Sequence, residues 1–116
     1  ESNKNIEVWG SGNQKRTFVY VKDLVRGMLL GLEKFPKPDP INISSGTEIS
    51  IKELVRIIVK NSNRKIKPNF DKNLPTSSYK RIMDISKAKR NLKFAPKWNM
   101  EEGLQETINW YKEQLL

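Results

Sequence analysis

The residues best suited to chemistry lie between Trp9 and Asp23, in the run Trp-Gly-Ser-Gly-Asn-Gln-Lys-Arg-Thr-Phe-Val-Tyr-Val-Lys-Asp. An aromatic side chain stands before a glycine turn, and the pair Lys15–Arg16 follows it. Aromatic surface beside fixed positive charge suits a flat ring joined to phosphates, the shape of a nucleotide or a nucleotide-sugar. Arginine fits the phosphate role because its guanidinium offers paired hydrogen bonds and keeps its charge at every relevant pH. A second cationic pair, Lys80–Arg81, falls in a segment that reads as extended, so only one of the two should face a given side. Residue type alone leaves other roles open. Arg16 could pair with a surface carboxylate, and Trp9 could anchor a core or an interface.

Inventory removes several chemistries. The 116 residues contain no cysteine and no histidine. Neither a disulfide framework nor a thiolate metal site can form. The usual general base, the commonest metal ligand and the usual pH switch are missing too. A zinc enzyme and a Ser-His-Asp hydrolase are thereby excluded. The net charge is +9, and between Lys52 and Lys97 there are 14 basic residues against only Glu53, Asp71 and Asp84. Such a surface favours anionic partners: phosphates, nucleic acid or acidic lipids. Solvated lysines on helix faces account for most of it. No apolar run is long enough to span a bilayer and no signal-peptide pattern opens the chain, so the expectation is a soluble, cytoplasmic protein with no membrane partner. The chain opens on Glu1 and enters a strand-like run at once, which reads as a piece of something longer.

The elements that must position these residues alternate between strand and helix, which makes the class α/β. Ile6 to Trp9 is a strand closed by the Gly10–Asn13 turn, and Thr17 to Val21 is a second strand. Asp23 is expected to cap a helix whose apolar stripe is Leu24, Val25, Met28, Leu29 and Leu32. Gly27 and Gly31 share one side of it and predict close approach of another backbone. Pro36, Pro38 and Pro40 make a stiff connector. Ile41 to Ser44 reads as a short strand. Ser50 with Glu53 predicts a capping box for a helix burying Ile51, Leu54, Val55, Ile58 and Val59. Ile66 to Phe70 and Lys80 to Met83 read as extended. Asp84 is expected to cap a short helix carrying Ile85, Ala88 and Leu92. Asn99 with Glu102 predicts a second box, for a helix burying Leu104, Ile108, Tyr111 and Leu115 beside Trp110. That is about four helices with short strands between them. So few strands cannot cover both faces of a doubly wound sheet, and docking on a larger sheet would bury more apolar surface.

Three stretches carry a resemblance. The first is Trp9-Gly10-Ser11-Gly12 with Arg16, Phe18, Val21, Asp23 and Leu24. The second is Ile41-Asn42-Ile43-Ser44-Ser45-Gly46 with the Ile49–Leu54 helix start. The third is Asp84-Ile85-Ser86-Lys87-Ala88 with Leu92, Phe94, Pro96, Glu102-Gly103-Leu104 and Trp110-Tyr111. In this order and spacing they resemble the C-terminal part of the extended short-chain dehydrogenase/reductases, the NAD-dependent epimerase/dehydratase family. Trp9 before the first glycine is similar to the GDP-fucose synthase branch of that family. Lys80–Arg81 is similar to that branch's basic pair, whereas Thr76, Ser77 and Ser78 depart from its acid, glycine and proline.

The resemblance implies that residues 1–116 form a small substrate-binding domain of a Rossmann-type enzyme acting on a nucleotide-diphosphate-sugar. It implies Arg16 on the substrate diphosphate, Trp9 against the sugar or base, and Lys80 or Arg81 on the substrate. It also implies NAD or NADP in the parent enzyme, held by an N-terminal dinucleotide-binding half, with a homodimer as one parental assembly. The catalytic Tyr-x-x-x-Lys pair of that half has no match here. Tyr20, Tyr79 and Tyr111 are followed four positions later by Leu24, Met83 and Leu115. The expectation is that this chain alone neither binds the cofactor nor turns over substrate. Two other readings stay open from sequence: a small basic nucleic-acid-binding module and a non-catalytic interaction domain.

Overall fold

The structure is a computed structural model that describes residues 5–77 and 79–115. In chain order its elements are β1 (Ile6–Trp9), β2 (Lys15–Thr17), α1 (Val21–Lys34), β3 (Glu48–Ser50), α2 (Ile51–Ser62), β4 (Pro68–Asp71), β5 (Lys80–Arg81), α3 (Ser86–Leu92) and α4 (Met100–Gln114). The α/β class is as expected, with four helices and short strands. The strands form two small sheets. β1 pairs with β4 in parallel, and β2 lies between β3 and β5 in the order β3-β2-β5. β2 runs antiparallel to β3 and parallel to β5.

Local chemistry explains the helix starts. The Asn99 side chain accepts from the Glu102 N–H at 2.9 Å, and the Glu102 carboxylate accepts from the Asn99 N–H at 3.2 Å. That reciprocal box starts α4 as predicted. At α2 only half of the box forms. Ser50 Oγ accepts from the Glu53 N–H at 3.1 Å, while the Glu53 carboxylate accepts from Arg56 at 2.6 and 2.9 Å. Arg56 lies one helical turn along the same face and competes successfully for that carboxylate.

The core is small. Ala88, Leu92 and Phe94 are buried, with Leu30, Phe35, Ile41 and Ile43 packed on them. α1 meets α3 here, while α2 packs on α4. Gly27 is approached closely by the Ile43 side chain, which lies where a Cβ would be, and not by another backbone as expected, while Gly31 faces open space.

Four sequence expectations are corrected. The second strand is Lys15–Thr17, not Thr17 to Val21, because α1 already begins at Val21. Ile41 to Ser44 forms no ladder, and the nearby strand is Glu48–Ser50, which finds β2 as a partner. The stripe of α1 is only partly covered: Val25, Met28, Leu29 and Leu32 are exposed, Leu32 by 76%. On α4, Trp110, Tyr111 and Leu115 are likewise exposed.

The fold is flat. Its extents are 49 × 36 × 19 Å and its radius of gyration is 16.8 Å, against about 13 Å for a compact domain of this length. A body 19 Å thick is little more than one helix on one thin layer.

Candidate functional site

The three-stranded sheet decides where the four cations of β2 and β5 go. The register sets Lys15 beside Lys80 and Arg16 beside Arg81. Cross-strand partners face the same side, and successive residues alternate. One face therefore carries Lys15 and Lys80, and the other carries Arg16 and Arg81. On the lysine face Glu48 sits between the two ammonium groups, at 2.8 Å from Lys15 Nζ and 3.1 Å from Lys80 Nζ. The hydrogen bonds and charge of Lys15, then of Lys80, hold the Glu48 carboxyl below its ordinary pKa. The same bond to Glu48 raises Lys15.

On the other face Arg16 Nη1 donates to the Lys15 carbonyl at 2.6 Å, and Nη2 donates to Ser77 Oγ at 2.5 Å. The Arg81 side chain forms no ion pair among the described residues. Two guanidinium groups in direct register repel each other, and a bridging anion removes that repulsion. The sequence expectation that only one of Lys80 and Arg81 faces a given side holds. The structure groups Arg81 with Arg16 and turns Lys80 to Glu48.

Trp9 ends β1 in the other sheet and is 53% exposed. Its indole N–H donates to Glu7 Oε1 at 3.2 Å, and its carbonyl accepts from Gln14 Nε2 at 3.3 Å. The turn that leads from Trp9 to Arg16 needs glycine, since Gly10 and Gly12 have φ of 88° and 79°. The hollow of that turn is filled by the protein itself. A Cβ at Gly10 would strike Thr76, and one at Gly12 would lie 2.5 Å from Phe70 Cε1. This glycine pair leaves no room for the backbone-to-pyrophosphate approach of a dinucleotide loop.

Asp23 has a role that differs from its expected one. Tyr20, not Asp23, occupies the cap of α1. Asp23 is 1% exposed and accepts from the backbone N–H of Lys97 (3.0 and 3.1 Å), from that of Trp98 (3.0 Å) and from Arg26 Nη2 (2.8 Å). Arg26 Nη2 also donates to the Ala95 carbonyl at 2.5 Å. Burial pushes the Asp23 carboxyl up, but Arg26 and the two backbone donors outweigh it and hold the group below its ordinary value. The clamp seats Trp98 against Tyr20, with ring centroids 4.7 Å apart and Lys22 Nζ above both rings. Nothing in the spacing of Asp23 signalled partners 74 and 75 residues away. Asp84 also forms no helix cap: Ile85 takes that position, while Asp84 Oδ1 accepts from Ser86 N and Oγ.

A groove of about 820 Å³ runs between the β2–α1 connection, α2 and α4, lined by Phe18, Tyr20, Ile49, Ile58, Trp98 and Leu104 among others. None of Trp9, Arg16, Lys80 and Arg81 lines it. Among the described residues no helix is long and apolar enough to cross a membrane.

The fold is of the α/β class, and comparison with known proteins gives its family. The GDP-mannose 4,6 dehydratase family model matches residues 1–107. The chain belongs to that family, within the extended short-chain dehydrogenase/reductases. It is 33% identical to a dTDP-4-dehydro-6-deoxy-D-allose reductase of Streptomyces sp over 97% of this chain and 34% of that protein. It is 32% identical to a putative GDP-L-fucose synthase 2 of Arabidopsis thaliana over 96% of this chain and 34% of that protein. Among solved structures, the Bacillus cereus UDP-glucuronic acid 4-epimerase in complex with UDP-glucuronic acid and NAD superposes with a TM-score of 0.84. The identity is 29%, covering 97% of this chain and 36% of that one. The chain thus spans about a third of the length of the relatives it matches.

Proposed function

We propose that the chain is the nucleotide-diphosphate-sugar recognition part of an NAD(P)-dependent sugar epimerase or reductase. The observation that carries this reading is the parallel pairing of β2 with β5, which sets Arg16 beside Arg81 on one sheet face. Two guanidinium groups in register match a diphosphate, whose charge is spread over several oxygens. Trp9, exposed at the far end of the glycine turn, supplies a flat surface for the sugar or base. Lys80 adds positive potential at the same strand without facing the same way. A GDP-sugar, as in the GDP-fucose synthases, is the substrate we favour, from Trp9 before Gly10.

The reactive groups belong to a dinucleotide-binding half outside these 116 residues. The filled glycine turn and the absence of a Tyr-x-x-x-Lys pair support that division. So does the exposed apolar stripe of α1, which a larger sheet would cover. In this division the chain binds and orients the diphosphate, and the other half holds NAD(P) and moves protons and hydride.

Calorimetric titration of the chain with GDP, UDP and NADPH tests this. GDP and UDP should bind with an affinity that falls on Arg16→Gln and on Arg81→Gln, with GDP the tighter of the two. NADPH should give no saturable binding beyond its diphosphate. Diphosphate binding that ignores both arginines would remove the reading.

A further inference from the structure

We infer that Glu48 is a positioning residue for the Arg16–Arg81 pair, acting from the opposite face of the sheet. The inference rests on the diphosphate reading of that pair. β5 has only two residues, both cationic, and it lies on β2 residues that are also both cationic. Directly opposed like charges destabilise a strand pair, and here two such rungs are consecutive. Lys15 lies opposite Lys80, and Arg16 lies opposite Arg81. The backbone bonds holding so short an edge strand are few, among them Lys15 N–H to the Tyr79 carbonyl at 2.8 Å.

Glu48 is the one carboxylate within ion-pair distance of either lysine among the described residues. It arrives from β3, the strand on the other side of β2, and reaches across to β5. It converts the Lys15–Lys80 rung from repulsive to attractive and so holds β5 on the sheet. That leaves Arg16 and Arg81 side by side on the opposite face of the sheet. These pairs are exposed, so each is weak. The device biases a marginal edge strand and does not stabilise the whole fold.

The sign of one substitution separates this role from a simple charge effect. Removing a carboxylate near an anion site should tighten anion binding through space. If Glu48 positions the arginines, Glu48→Gln should instead weaken it. The probe is inorganic pyrophosphate, titrated calorimetrically, together with hydrogen exchange of the Lys15 amide as a direct report on β2–β5 pairing. Glu48→Gln should weaken pyrophosphate about threefold or more and speed Lys15 exchange. Glu48→Asp should restore part of both. Glu48→Gln combined with Lys80→Gln should restore Lys15 protection, because it removes the repulsion from the other side. Unchanged Lys15 exchange in Glu48→Gln, or unchanged or tighter pyrophosphate binding, overturns the inference if Arg16→Gln and Arg81→Gln still weaken binding. If those two variants bind as well as the parent chain, the diphosphate reading itself falls, and this inference with it.

Discussion

At the scale of single residues, two side chains carry sharp expectations. Arg16 donates within its own strand and to Ser77, so its guanidinium is held in place before any ligand arrives. Charge-assisted contacts to a phosphate are strong, so Arg16→Gln should lower nucleoside diphosphate affinity roughly 10- to 100-fold by calorimetry, with helix content unchanged. Asp23 is a matter of stability. Its removal would leave two part-buried backbone donors without their acceptor and take from Arg26 its carboxylate partner, so Asp23→Ala should cost about 3 kcal/mol in urea unfolding at neutral pH. The pH dependence has a definite sign. The folded pKa of Asp23 lies below its unfolded value, so the unfolded chain takes up the proton more readily. The stabilisation is full above the unfolded aspartate pKa of about 3.9 and is lost as pH falls through the lowered folded value. The stability difference between the parent chain and Asp23→Asn should therefore shrink on acidification. A difference that stayed constant to strongly acid pH would show that the clamp is not ionic.

At the scale of elements, what could be read from sequence was local. The start of α4 was legible because Asn99 and Glu102 stand three residues apart and need nothing else. Asn99→Ala should cost about 1 kcal/mol, read as a lower unfolding midpoint. The apolar face of α2 was legible in part: its five expected residues are half-buried, while the fully buried one is Ile57. Strand identity was not, because a strand exists only where a partner lies beside it. Ile41 to Ser44 has the right composition and no ladder, whereas Glu48–Ser50 pairs with a segment over 30 residues away. Of the site, the basic pairs were legible and their division between two faces was partly so. The role of Glu48 was not, since it depends on a register formed by three separate strands. The stripe of α1 was read correctly as a pattern, but its expected cover is missing for four of its five residues. Leu29→Lys with Leu32→Lys should reduce self-association in sedimentation while shifting the melting temperature little, since neither side chain is buried. A large loss of stability would mean that the stripe is covered within this chain in solution.

At the scale of the whole molecule, flatness and composition point the same way. A body with a small core and a radius of gyration of 16.8 Å exposes apolar surface on a helix that a second layer would cover. The relatives are about three times as long as the chain. If the proposed dinucleotide-binding half docks on α1, adding it should raise the melting temperature by linkage and slow amide exchange across the α1 stripe. Exchange protection confined to α4, with α1 unchanged, would place the interface on Trp110 and Tyr111 instead.

The Asp23 clamp has a consequence for the order in which the chain can fold. Its donors are the backbone N–H groups of Lys97 and Trp98, so the carboxylate closes a loop of about 75 residues. During synthesis α1 emerges about 75 residues before the donors that complete the clamp, so Asp23 cannot be buried at low cost until residue 98 has left the ribosome. Until then this lobe must keep the start of α1 wet or borrow a temporary partner. The clamp is completed by the backbone of the segment that leads into α4.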